Sequence, residues 1–184
     1  SQDYMDTVSK VILYAKSIDM EFWLYDENGW PSGHASGKVR KAYRNCRCEW
    51  LEPRKNGRVV KKFKKRVNIL DRHAMDIFQE ITYEGYRQKL DPEAWEYVMG
   101  FFSDEVGFLE GHGILKKTGA IPWCPEINER YLKQYGENPE KDFPKLFNDM
   151  EGAEEFRMRY WRVLTDVLAD NFYKRLSDWC AKYG

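Results

Sequence analysis

Two pairs of adjacent carboxylates, Asp26-Glu27 and Asp104-Glu105, are the residues of this chain best placed to do chemistry. Each pair ends an apolar, aromatic-rich run, over 20–25 and 97–103, and each is followed by a glycine-containing stretch. Paired carboxyl groups suit general acid–base work, in which a protonated member assists a leaving oxygen while an ionised one activates water or stabilises a positive centre. They equally suit the holding of hydroxyl groups or of a hard cation such as calcium, which takes oxygen ligands. The plain alternative is a solvated acid pair at a strand end. The chemical reading gains from the repetition of one pattern, a buried strand, an acid pair and a loop. In parallel α/β architectures the carboxyl ends of strands are where ligands and catalytic groups gather.

The elements that must position these acids emerge from periodicity. Residues 3–17 have Val8, Val11, Ile12 and Ala15 at helical spacing, with Asp3 and Asp6 early, where they suit the helix dipole. Residues 20–25 predict a strand. Val98, Met99, Phe101 and Phe102 leave no polar face, which predicts a strand buried on both sides. Between them, 47–52 and 58–63 predict a hairpin around Asn56-Gly57, a pair that supplies the positive φ angles of a tight turn. The hairpin is expected to protrude, solvated, over the sheet edge. Residues 67–70 predict a short strand, and Asp71 an N-cap for a helix over 72–89 that buries Ala74, Ile77, Phe78, Ile81 and Tyr86. A long loop over 106–124 contains Ile121-Pro122-Trp123. Short helices are expected over 126–135 and 139–148. A long helix over 153–182 has Phe156, Tyr160, Val163, Leu164, Val167, Leu168, Phe172, Leu176 and Trp179 on one face.

Strands alternating with helices imply parallel pairing through crossovers. Three parallel strands do not close a sheet, and no GxGxxG or GxxxxGK[ST] loop supports a nucleotide-binding domain. The expected fold class is therefore α/β, a partial (β/α)8 barrel, with residues 1–184 forming one partial catalytic domain and a hairpin insertion at 44–65. Lys plus Arg and Asp plus Glu each total 30, so no overall field draws in nucleic acid. The basic run over 54–66 has no recognisable nucleic-acid motif, and no apolar run reaches the roughly 20 residues of a membrane span. No nucleic-acid and no membrane partner is expected. Cys46, Cys48, Cys124 and Cys180 form no disulfide or zinc framework, and His34, His73 and His112 form no helix-borne metal pair. Aromatic residues make up 16% of the chain, above ordinary usage; a large core accounts for most of them, and any beyond it would suit a groove in which sugar faces stack on flat rings.

The run Phe22-Trp-Leu-Tyr-Asp-Glu-Asn-Gly-Trp-Pro-Ser-Gly-His-Ala-Ser-Gly-Lys-Val39 resembles a segment of the bacterial α-L-rhamnosidase-like glycoside hydrolases, where Tyr-Asp-Glu-x-Gly-Trp-Pro-Ser-Gly comes after the second barrel strand. Phe101-Phe-Ser-Asp-Glu105 resembles their Phe-Phe-Thr-Asp-Glu-Pro at the fourth strand, with Val106 in place of the proline. Ile121-Pro-Trp123, Phe156-Arg-Met-Arg-Tyr-Trp161 and the segments from Asn171-Phe172 to Trp179-Cys180 resemble that family's stretch between the fourth and fifth strands. The resemblance implies barrel strands two to four with their helices, acting on a carbohydrate, with α-L-rhamnosides as the named class. It implies Glu105 as general acid or acid/base, its carboxyl held up by burial against aromatic neighbours. Asp104, Asp26 and Glu27 would then hold hydroxyl groups, and Trp30 and Trp123 would stack on sugar faces, although both would be equally ordinary as core residues. No cofactor is required on this reading, although Asp26 and Glu27 would also suit calcium. The remainder of the parent barrel is the expected partner, so residues 1–184 alone are expected to hydrolyse no glycoside. A sugar-binding module without turnover is the alternative.

Overall fold

The computed structural model describes residues 1–108 and 119–183. The described residues form a mixed α/β structure with one small parallel sheet and one antiparallel sheet, and their strands do not close a barrel. The first helix, Gln2–Ser17, is capped by the Ser1 hydroxyl and buries Ile12 and Ala15, whereas Val11 faces solvent. It leads into β1 (Phe22–Tyr25), and after a short helix, Lys38–Ala42, come β2 (Cys48–Pro53) and β3 (Val59–Lys64). The hairpin forms as expected, but its turn spans Arg54–Gly57, with the Gly57 N–H donating to the Arg54 carbonyl, and of the Asn56-Gly57 pair only Gly57 takes a positive φ, 77°.

Residues 67–70 are not a strand. The Asn68 side chain accepts from the Leu70 N–H and its carbonyl accepts from the Asp71 N–H, which turns the backbone out of extended geometry. Asp71 then caps the next helix through the His73 and Ala74 N–H groups. That helix runs over 72–89 as Arg72–Gln79, a π turn at Glu80–Glu84, and Gly85–Lys89. Pro92–Glu96 and β4 (Val98–Phe102) come next.

With the 67–70 segment out of the sheet, β1 pairs directly with β4, parallel, and the helix over 72–89 lies between them in sequence. One face of this pair is covered. Leu24, Val98 and Phe101 pack with Ile12, Leu90 and Ala94 and with the rings of Tyr86 and Trp95. The other face is open, with Trp23 and Phe102 each 56% exposed and Met99 53%. The expectation of a strand buried on both sides is therefore corrected, because among the described residues no second layer covers the outer face. The Trp23 ring occupies the space over Gly100 there, where an added Cβ would come within 2.7 Å of it.

The hairpin does not protrude freely. Residues 121–123, expected within a loop, form a third strand, β5 (Ile121–Trp123), antiparallel to β2. Of the long loop read over 106–124, residues 109–118 lie outside the described residues. Leu51, Ile121 and Trp123 face the helix Pro125–Tyr135, the 3₁₀ stretch Pro139–Leu146 and the first half of the C-terminal helix, Ala153–Leu168. A π turn, Ala169–Lys174, joins this to Arg175–Tyr183. There Phe172, Leu176 and Trp179 pack against Phe78 and Tyr83. One long helix thus ties both cores together, and the broad apolar face expected of it is buried apart from the half-buried Leu168.

Candidate functional site at the parallel strand ends

Parallel pairing brings both acidic pairs to one end of the sheet. The Asp26 N–H donates to the Phe102 carbonyl, continuing the ladder one residue past β1. Ser32 then clamps the other strand. Its N–H donates to the Asp104 carbonyl at 3.0 Å, and its hydroxyl accepts from the Asp104 N–H at 2.9 Å.

Asp26 is the hub of this end. Its side chain is fully buried and accepts from the Ser32 hydroxyl at 2.5 Å, from the Tyr83 hydroxyl at 2.9 Å, and from the Ser103 hydroxyl. Burial pushes its carboxyl above the ordinary range; the hydroxyls of Ser103, Ser32 and Tyr83 oppose that push, and the Glu27 charge adds to it. Tyr83 arrives by way of the π turn. At about 100° per residue a regular helix would place it about 140° around from Phe78. The i→i+5 turn swings it back to the buried face, where its ring stacks on Phe101 at 4.1 Å. Burial first, and then the Asp26 charge, drive the Tyr83 phenol far above its usual range.

Glu27 is held differently. One carboxylate oxygen accepts from the Asn28 and Ser36 N–H groups at 2.9 and 2.7 Å, and the other from His34 and Ala35 at 2.8 and 2.7 Å. Ala35 and Ser36 take the left-handed conformation, φ 48° and 52°, which turns successive N–H groups inward as a nest for an anion. The anion in it is the protein's own. Both acids expected to hold substrate hydroxyls or calcium are thus enclosed, Asp26 at 0% and Glu27 at 7% exposure, with their oxygens engaged by internal donors. That corrects the reading of them as groups open to a ligand. Among the described residues no group of three His, Cys, Asp or Glu side chains is arranged to hold a metal.

Asp104 is half-buried and Glu105 exposed, so these are the two acids of the site that face solvent. Among the described residues Glu105 is exposed, where burial against aromatic neighbours was expected. Glu105 also has φ 41°, a left-handed conformation that costs an L-residue about 1–2 kcal/mol. Beside the acids, Tyr25 donates its hydroxyl to the Gly29 carbonyl, and its phenol is raised by burial and then by the charges of Asp104, Asp26 and Glu27. Trp30 stands 52% exposed on the loop between Glu27 and Ser32. Trp123 is elsewhere. It is 6% exposed in β5, donates to Asn128 at 2.9 Å and is covered by the Lys61 ammonium at 4.1 Å from the ring centre. Of its two expected roles, sugar platform and core residue, its burial through the antiparallel pairing of 121–123 fits the core role.

A cavity of about 270 Å³ adjoins the enclosed pair, lined by Tyr4, Tyr25, Asn28, Lys38, Thr82 and Tyr86. Tyr83 and Ser32 are the members of the site that the sequence did not single out. The serine was visible in the Trp-Pro-Ser-Gly run, whereas nothing in a regular helical period points Tyr83 at Asp26. Compared with protein-family models, with curated proteins and with solved structures, the chain matches none of them.

Proposed function

We propose that this chain is a segment of a glycoside hydrolase catalytic domain, with α-L-rhamnosides as the substrate class that the sequence resemblance names. The observation that carries the reading is the hydrogen-bonded joining of the two acidic strand ends through Ser32, Ser103 and Asp26. It presents Glu105 and the Trp30 loop at the carboxyl end of one parallel sheet, the end at which barrel enzymes assemble their sites. In this reading Glu105 delivers the proton to the leaving oxygen, Asp104 holds a hydroxyl beside it, and Trp30 stacks on a sugar face. Asp26 and Glu27 are positioning residues that fix the strand ends and the loop. The open face carrying Trp23, Met99 and Phe102 is the side that further strands of the parent barrel would cover, and those strands would supply the partner carboxylate.

The test is hydrolysis of aryl glycosides, 4-nitrophenyl α-L-rhamnoside included, by the polypeptide its gene encodes. Glu105→Gln should lower turnover of a substrate with a poor leaving group about 100- to 10,000-fold. Near-normal turnover would remove Glu105 from the acid role. The exposure of Glu105 favours one second reading, carbohydrate binding without turnover. It predicts no hydrolysis by either form, together with rhamnoside affinity that survives Glu105→Gln and falls with Trp30→Ala. Absence of both hydrolysis and sugar affinity would sink both readings.

A further inference from the structure

Although acids and bases balance over the whole chain, the bases are unevenly used. Ion pairs engage some cations, such as Lys61 with Glu140, Arg130 with Asp170 and Arg157 with Asp149, while Lys55, Arg58, Lys62 and Lys64 of the hairpin are in no ion pair among the described residues. Among the described residues, Arg40, Lys41, Arg44, Lys65 and Arg72 are exposed and have no carboxylate within ion-pair distance. They are contiguous. A groove of about 500 Å³ is lined by Gly37, Arg40, Lys41, Arg44 and Lys65, with no acidic side chain in its wall. Arg44 and Lys65 also line a neighbouring groove of about 840 Å³, where Arg72 and the rings of Tyr43, Phe63 and His73 join them. Phe63 is 58% exposed there. The acids of that second wall are in part already engaged: Glu49 pairs with Arg47, Asp71 caps a helix, and Glu126 is bound by Arg130.

We infer that these two grooves form a binding track for an anionic polysaccharide, a glycan chain bearing carboxylate or sulfate groups. Four cations around a wall without acids leave a local positive potential that only a bound anion would neutralise. Exposed rings beside the cations offer faces for sugar units. Lys38 lines the cavity beside Asp26 and Glu27, and Gly37, Arg40 and Lys41, around the same short helix, line the basic groove, so one short helix borders both. The choice of a glycan over a nucleic acid rests on the glycosidase reading.

The encoded polypeptide should be titrated with polygalacturonate, dextran sulfate, neutral dextran and a thymidine oligonucleotide, at low and at moderate salt. The expected result is binding of polygalacturonate or dextran sulfate that weakens with salt, with the better of the two identifying the anionic group, and weaker binding of the oligonucleotide and neutral dextran. The combined variant Arg40→Gln, Lys41→Gln, Arg44→Gln, Lys65→Gln should lose about tenfold or more in affinity, while Arg40→Lys with Arg44→Lys retains it. Wild-type affinity in the combined variant, or no binding of either anionic glycan, would overturn the inference. Oligonucleotide binding as tight as that of the glycans would overturn the choice of ligand class. Glu105→Gln should leave glycan binding unchanged, so a groove that binds in a protein without hydrolysis would count against the glycosidase reading alone.

Discussion

Replacing Tyr83 by Phe isolates the contact that joins the helix over 72–89 to the strand ends. The ring keeps its stack on Phe101 and its edge contact with Trp179, so packing is little changed and one donor to Asp26 is lost. A hydrogen bond to a charged group is worth about 1.5–3 kcal/mol, and Asp26 has no route to water that would replace it. The loss should depend on pH in a definite direction. Burial holds the folded-state pKa of Asp26 above its ordinary 3.8. Its contribution to stability is therefore complete below the unfolded pKa and is lost as pH rises through the folded one. Removing a donor to the ionised form raises the folded pKa further and deepens that loss. Tyr83→Phe should thus cost about 1.5–3 kcal/mol near pH 8 and distinctly less near pH 4. Urea unfolding at several pH values, followed by tryptophan fluorescence, measures both quantities. In an Asp26→Asn background the effect of Tyr83→Phe should shrink and lose its pH dependence. A cost that is the same at every pH, or below about 0.5 kcal/mol at pH 8, would refute a charge-assisted bond between these two groups.

Two further predictions concern the other acids. Glu27→Gln sets an amide against two of the four N–H groups that the carboxylate accepts, so it should destabilise the chain by about 2 kcal/mol. Hydrogen exchange at His34, Ala35 and Ser36 should accelerate with it, and unchanged exchange would show that the nest does not hold the loop. The Arg87 guanidinium holds the Glu84 carboxyl down, to a pKa of about 2. The stability this pair contributes is present above the ordinary 4.5 and is lost as pH falls through about 2. For so exposed a pair, Arg87→Ala should lower the unfolding temperature only slightly at neutral pH, and thermal unfolding should find the difference gone in strong acid.

Local signals were enough for the elements whose stability is local. The cap at Asp71, the helical periods over 72–89 and 153–182, and the chain reversal near Asn56-Gly57 depend on residues a few positions apart, and the sequence alone determined them. It also determined that two strands end in acid pairs, and parallel pairing did bring those ends together. Tertiary structure decided everything that depends on a distant partner. Residues 67–70 are apolar enough for a strand, but Asn68 bonds its own backbone, and β1 found β4 instead. Residues 121–123 became a strand, despite Pro122, because β2 offered an edge. The face of β4 bearing Met99 and Phe102 stayed open because no layer of the described chain reaches it, a fact that hydrophobicity cannot encode. The same holds at the site. The sequence placed Asp26, Glu27, Asp104 and Glu105 in neighbouring positions, yet which of them faces solvent was settled by a π turn that delivers Tyr83 and by a loop that folds its N–H groups around Glu27. An acid's chemistry depends on its donors and its access to water, and both are set by chain segments far from it in sequence.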